Sequence, residues 1–196
     1  MIMKYTQIGS LKVSKVCLGC MGFGDASQGM HSWTLPYEDS KKIIFHALGS
    51  GINFFDTAMA YQSGTSEEYL GRAIKEYGYR EDVIIATKYT PKSDDSIDSR
   101  TYLRECLNNS LRRLQTDYID LYIMHMWDYR TPIEDTLEIL NDFIKEGKIK
   151  EIGISNCFAY QLATANTIAK ERGLQGFVSV QGHYNLIFRE EEREMK

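Results

Sequence analysis

Seven polar residues stand where apolar runs stop: Asp56, Lys88, His125, Ser155 with Asn156, and Gln181, with Tyr61 five positions after Asp56. An acid, a phenol, an ammonium and an imidazole suit proton transfer to or from an oxygen. A free tyrosine, with a pKa of about 10, is a weak acid at neutral pH. An ammonium about 4 Å away stabilises negative charge on an oxygen by roughly 4 kcal/mol at an effective dielectric of ~20. Asp56, paired with Lys88, would hold that ammonium in place and offset part of its effect. His125 has the donor to orient a carbonyl. The set handles a proton but supplies no electrons, so carbonyl reduction would need a hydride-donating nicotinamide. Ser155, Asn156 and Gln181 carry the donors and acceptors to hold a carboxamide. Neither a GxSxG elbow nor a P-loop is in the sequence, which disfavours hydrolysis by a covalent route. Gly22-Phe23-Gly24 is too short a signal for a dinucleotide fingerprint.

The elements that must place these residues alternate. Apolar runs at Lys15–Gly19, Ile52–Phe55, Val83–Thr87, Tyr118–Ile123, Glu151–Ile154 and Phe177–Gln181 are mostly apolar on successive residues. That is the pattern of parallel strands covered on both faces. Between them lie helical stripes. Pro36 with Glu38 and Asp39 opens the first, with Ile43, Ile44, Ala47 and Leu48 on one face and Gly51 after it. Thr65 and Glu68 have capping-box spacing ahead of Leu70, Ala73 and Ile74. Leu103, Leu107, Leu111 and Leu114 stripe a third helix; Ile133, Leu137, Leu140 and Ile144 a fourth; Leu162, Ala165 and Ala169 a fifth. Met3–Ile8 and Leu11–Val13 flank Gly9-Ser10 as a hairpin. Strand midpoints recur about every 32 residues, an ordinary βα unit. An open doubly wound sheet and a barrel both fit this alternation. A full (β/α)8 barrel runs to about 250 residues, two units more than these six. The tail Arg189–Lys196 reads as the first turns of a further helix.

The 196 residues hold 43% hydrophobic and 26% charged residues, with a net charge of −4. Those values are ordinary for a globular domain and exclude a disordered chain. They support no broad basic surface, so no nucleic-acid partner is expected. No apolar run approaches a membrane span, and Met1–Tyr5 lacks the apolar stretch of a signal peptide. A cytoplasmic location is the expectation. Cys17 and Cys20 spell CxxC, but there is no second pair to complete a zinc site. All four cysteines, at 17, 20, 106 and 157, therefore read as buried free thiols, and no metal site is expected.

Taken as a set and in order, Asp56-Thr57-Ala58-x-x-Tyr61, Ala86-Thr87-Lys88-Tyr89, Asp120-Leu121-Tyr122-x-x-His125 and Gly153-Ile154-Ser155-Asn156 resemble the aldo-keto reductases. The resemblance runs from the opening hairpin to Gln181 and the Glu191–Glu194 stretch. It implies an α/β fold, a parallel (β/α)8 TIM barrel of which about six βα units lie in residues 1–196 as one partial domain, with an N-terminal β-hairpin at its bottom. It implies NADPH as cofactor and a small-molecule aldehyde or ketone as substrate. Tyr61 is then the general acid, with Lys88 and Asp56 supporting it and His125 orienting the carbonyl. Ser155, Asn156 and Gln181 hold the nicotinamide carboxamide, and the backbone at Gly22 and Phe23 lies against the ribose. Trp33, Tyr89, Met126 and Trp127 are the expected substrate lining.

The family's aromatic that stacks on the nicotinamide, and its grip on the cofactor phosphates, belong to later barrel units that these residues do not include. Two readings stand beside the enzyme. One is a non-catalytic regulatory subunit with a reductase-like fold, as in potassium-channel beta subunits. The other is an inactive fragment of a longer chain. Open barrel edges would favour self-association.

Overall fold

The computed structural model describes residues 3–195. Strands β1 (Tyr5–Ile8) and β2 (Leu11–Ser14) form the expected antiparallel hairpin, turning at Gly9 with φ +55°. Six parallel strands follow: β3 (Cys17–Gly19), β4 (Phe54–Asp56), β5 (Ile84–Tyr89), β6 (Ile119–Met124), β7 (Ile149–Ser155) and β8 (Ser179–Gln181). They pair strictly in chain order and form a curled half-barrel, with β3 and β8 each bonded on one side only among the described residues. Between them lie helices α1 (Tyr37–Gly49), α2 (Thr65–Tyr77), α3 (Ser99–Leu114), α4 (Ile133–Lys145) and α5 (Ala159–Glu171). The barrel expectation holds for the six units present.

Alternation along the strands sorts side chains into two cores. Phe55, Ile85, Tyr89, Tyr122, Ile152 and Ile154 face the helices and meet the leucine stripe of α3 and Leu137, Leu140 and Phe143 of α4. Ile84, Ala86, Leu121 and Ile123 face inward, where Leu11 and Val13 of the hairpin pack against them. The hairpin is fastened there by Glu151 of β7, whose Oε1 accepts the Ser10 N–H at 2.7 Å. A Cβ at residue 9 would lie 2.6 Å from that oxygen and push the carboxylate aside, and φ +55° adds backbone strain for most other residues, so glycine suits the turn.

Several local expectations change. Strands β5, β6 and β7 run past their expected ends, so Lys88 and Ser155 lie within the ladders. The two outermost strands, and β4 with them, shrink to three residues. The Thr65–Glu68 capping box is not formed. Gly64, at φ +92°, occupies the cap position of α2, while Thr65 Oγ1 donates to Gln62 O at 2.8 Å and accepts from Asp25 N–H at 2.9 Å. The tail carries a four-residue 3₁₀ turn, Glu190–Arg193, rather than an α-helical start; it has no apolar stripe to bury, and Lys196 lies outside the described residues. Only Cys20 and Cys106 are buried; Cys17 is exposed and Cys157 is half-buried. Cys17 points to the inner face at the open edge, where the strand wall and the Asp56 carboxylate push its thiol up to about 12. Among the described residues no cluster of His, Cys, Asp and Glu could hold a metal ion. Nor, among them, is any helix long and apolar enough to cross a membrane.

Candidate active site at the C-terminal edge of the sheet

The register brings Asp56, Lys88 and His125 together. Asp56 pairs with Ala86, and Lys88 lies two residues further along β5. Lys88 in turn pairs with Ile123, and His125 lies two residues beyond it. Steps of two keep every side chain on the inner face, so each strand raises its polar residue by one inward position. Beyond Asp56, Thr57 N–H donates to Ala86 O at 2.9 Å and Met59 N–H to Lys88 O at 3.0 Å. The chain then turns, with Tyr61 N–H on Ala58 O at 3.1 Å, and the phenol folds back over Lys88.

Lys88 is 1% exposed. Its Nζ donates to Asp56 Oδ2 at 2.7 Å, to the Thr57 carbonyl at 2.8 Å and to Tyr61 Oη at 3.1 Å. An ammonium has three N–H bonds, and all three are engaged. Tyr61 Oη is thus an acceptor toward Lys88, which leaves its own O–H to point elsewhere. The ammonium also stabilises negative charge that builds on that oxygen in a low-dielectric surrounding. The His125 ring stands edge-on to Tyr61, with centroids 5.8 Å apart and planes at 83°. Its main-chain N–H continues the ladder onto Tyr89 O at 2.9 Å. Burial, and then the neighbouring Lys88 charge, hold the imidazole below its ordinary range, against a smaller opposing pull from Asp56. Its Nδ1 is buried without a partner among the described residues. With Nδ1 enclosed, Nε2 is the ring nitrogen through which a neutral imidazole can meet a polar ligand atom.

Ser155, Asn156 and Gln181 meet one strand over. Ser155 Oγ donates to Gln181 O at 2.8 Å, and Asn156 Nδ2 donates to His125 O at 2.8 Å and Ser155 Oγ at 2.9 Å. Asn156 adopts φ +49°, the left-handed region that Asn tolerates better than most residues. Asn156 Oδ1 and the exposed Gln181 side chain make no hydrogen bond among the described residues. That leaves an acceptor and a full carboxamide on one rim, a donor set that fits a primary amide.

The expected lining divides. Trp33 and Met126 are exposed on loops at this end of the sheet, and Trp127 is half-buried against the outer core. Tyr89 does not line the mouth: as an odd-numbered residue of β5 it faces the helices, fully buried against Tyr122 with ring centroids 5.2 Å apart. Gly22 lies in the loop after β3, its carbonyl accepting from Leu35 N–H at 2.8 Å, and the Phe23 side chain is core. A cavity of ≈ 380 Å³ lies to one side, between Asn156–Gln161 and the Glu190–Met195 tail, rather than over Tyr61.

Sequence reasoning passed over three supports. Glu67 is fully buried on α2, where its carboxylate accepts from Thr87 Oγ1 at 2.6 Å and pairs with Arg113 at 3.0 Å, fixing the strand residue beside Lys88. Its spacing from Leu70 and Ile74, on the buried stripe, was the available signal. The Thr57 carbonyl is main chain and leaves no signal. Gln62, the third, is buried and left-handed next to Tyr61.

Residues 15–196 match the family described as "Aldo/keto reductase family". The chain is 39% identical to the versiconal hemiacetal acetate reductase of Aspergillus parasiticus, covering 98% of this chain and 62% of that one. It is 34% identical to norsolorinic acid reductase B of Dothistroma septosporum, covering 98% and 52%. A solved thermostable aldo-keto reductase, in complex with the inhibitor epalrestat, superposes with a TM-score of 0.84 at 31% identity, over 98% of this chain and 66% of that one. The chain thus spans about half to three fifths of the length of the curated relatives it matches.

Proposed function

The chain belongs to the aldo/keto reductase family, and on that premise we propose that it reduces an aldehyde or ketone to an alcohol, with Tyr61 as general acid and NADPH as cofactor. The observation that carries this reading is the threefold engagement of Lys88. Because its third N–H sits on Tyr61 Oη at 3.1 Å, the phenol proton is free to reach a substrate oxygen. The nicotinamide, when bound, supplies the hydride. Asn156 and Gln181 would hold its carboxamide through the amide groups left open on the rim, with Ser155 keeping Gln181 in register. His125, neutral at pH 7, donates a hydrogen bond to the carbonyl oxygen and orients it toward the Tyr61 O–H. As charge grows on that oxygen the proton crosses from Tyr61, and Lys88 stabilises the phenolate left behind. Asp56 keeps the ammonium aimed. Trp33, Met126 and Trp127 are proposed substrate contacts, and the backbone at Gly22 and Phe23 a cofactor contact.

The same reading makes residues 1–196 one partial barrel domain. The singly paired edges β3 and β8 favour self-association, and sedimentation would show it as a concentration-dependent mass. Four free cysteines fit a reducing compartment such as the cytoplasm.

Titration of the purified chain with NADPH and with NADH, followed by single-turnover reduction of an aromatic aldehyde, tests the proposal. The expected result is tighter binding of NADPH than of NADH. Tyr61→Phe should lower the hydride-transfer rate by at least about 100-fold while cofactor affinity stays within about twofold. Turnover that survives Tyr61→Phe, Lys88→Met and His125→Gln alike would overturn the mechanism. Cofactor binding without turnover in the unaltered chain would favour the regulatory-subunit reading.

A further inference from the structure

This inference rests on the reductase reading and refines its substrate side. After Tyr61 the chain runs through three left-handed residues, Gln62, Ser63 and Gly64, at φ +46°, +54° and +92°. Two of them are not glycine, a conformation that persists only where the surroundings enforce it. Gln62 is 1% exposed. Its Nε2 faces three carbonyls, Asp25 O at 3.0 Å, His31 O at 2.8 Å and Gln28 O, while its Oε1 accepts the His31 N–H at 2.8 Å. A reversed amide would set oxygen against three oxygens, so the orientation is fixed by its partners.

The 24–31 loop lies directly on this residue. A Cβ at Gly29 would come within 2.7 Å of Gln62 Cα, and one at Gly24 within 2.7 Å of Gln62 Cβ. At the loop's end the His31 and Trp33 rings lie against each other, centroids 4.7 Å apart and planes tilted by 31°, and Trp33 is 57% exposed. A Cβ at Gly22 would meet only the Trp33 ring, at 3.9 Å.

We propose that Gln62 is a positioning residue that latches the 24–31 loop to the segment carrying Tyr61, and thereby fixes the His31–Trp33 pair as an aromatic wall whose exposed Trp33 ring selects carbonyl substrates with a planar apolar body. The wall adds contact for an aromatic aldehyde and offers little to a short aliphatic one. The latch does not touch the reacting atoms, so its loss acts on substrate binding before the chemical step.

Three variants of the intact chain test it by hydrogen exchange and steady-state kinetics. Gln62→Gly suits the left-handed backbone and removes the latch. Amide exchange of residues 25–31 should rise at least tenfold, with β6 unchanged. KM for 2-naphthaldehyde should rise at least fivefold, with a smaller change in kcat and little change in KM for propanal. Gln62→Glu places a carboxyl against three carbonyls, which only its protonated form can satisfy. Loop protection should therefore be present at pH 5 and lost at pH 9, a dependence that simple packing would not show. Gln62→Asn, too short to reach, should resemble the glycine variant. Unchanged loop exchange in Gln62→Gly, pH-independent protection in Gln62→Glu, or equal KM shifts for both aldehydes would each overturn the proposal. If the unaltered chain reduces neither aldehyde, the reductase reading and the selecting wall fall together, while the exchange measurements still decide the latch.

Discussion

Lys88 is a buried cation whose partners are all supplied from β4 and the turn after it. Removing it leaves the Asp56 carboxylate unpaired in a buried place, which costs about 3 kcal/mol in comparable pairs. Lys88→Met should therefore lower unfolding stability by about that amount in urea titrations, and adding Asp56→Asn should recover part of the loss. His125 gives a pH dependence. Its native pKa lies below the unfolded value of about 6.5, so the fold favours the neutral ring. Its contribution to stability is full above about pH 6.5 and is lost as pH falls through the lowered native value. Urea midpoints compared at pH 7.5 and pH 5 should fall more steeply for the unaltered chain than for His125→Gln. At this scale much was legible in the sequence: Asp56, Lys88 and His125 were named because each follows an apolar run. Tyr89 is expected in a loop because the apolar run stops at Thr87; β5 instead continues through it and turns it outward to the helices.

Helix α2 shows how an element holds the site. It approaches α3 so closely that a Cβ on Gly71 would lie 2.4 Å from the Leu114 backbone. Neither backbone yields easily, so Gly71→Ala should cost about 2 kcal/mol of stability despite alanine's better helix propensity. A matched Gly78→Ala control meets nothing, but sits at φ +89° and should cost only its backbone strain. Helix α3 is capped by Asp98, whose carboxylate accepts the Thr101 N–H at 3.0 Å. Asp98→Ala should lower stability by about 1 kcal/mol, measured by thermal unfolding. The helices were readable from their leucine and isoleucine stripes. The start of α2 was not: the Thr65–Glu68 spacing matched a capping box, but tertiary contacts drew Thr65 to Asp25 and Gln62 instead.

The whole molecule is most strongly held along its middle. Strands β5, β6 and β7 have six, six and seven residues and two partners each, whereas β3 and β8 have three residues and one partner. Native-state hydrogen exchange should find β5–β7 opening only with global unfolding, and the two edge strands exchanging at least about 100-fold faster. Lys88 and Ser155 ride on the stable strands, and Gln181 on a labile one, so the proposed carboxamide site is half fixed and half adaptable. The six-unit alternation was legible in the sequence; which inward residues share a level was not, because register depends on pairings made across the sheet.

The clasp between the hairpin and β7 bears on synthesis. Ser10 and Glu151 stand 141 positions apart in the chain. At roughly 5–20 residues per second, the hairpin, already tied to Asn53 of the chain before β4, waits on the order of ten seconds on the ribosome before this clasp is made. During that wait Leu11 and Val13 gain their inner partners only stepwise, as Ile84, Ala86, Leu121 and Ile123 are made, and the turn at Gly9 has no acid to grip it. The plug of the barrel is thus translated first, tethered early through Asn53, and locked at its turn only once β7 is made.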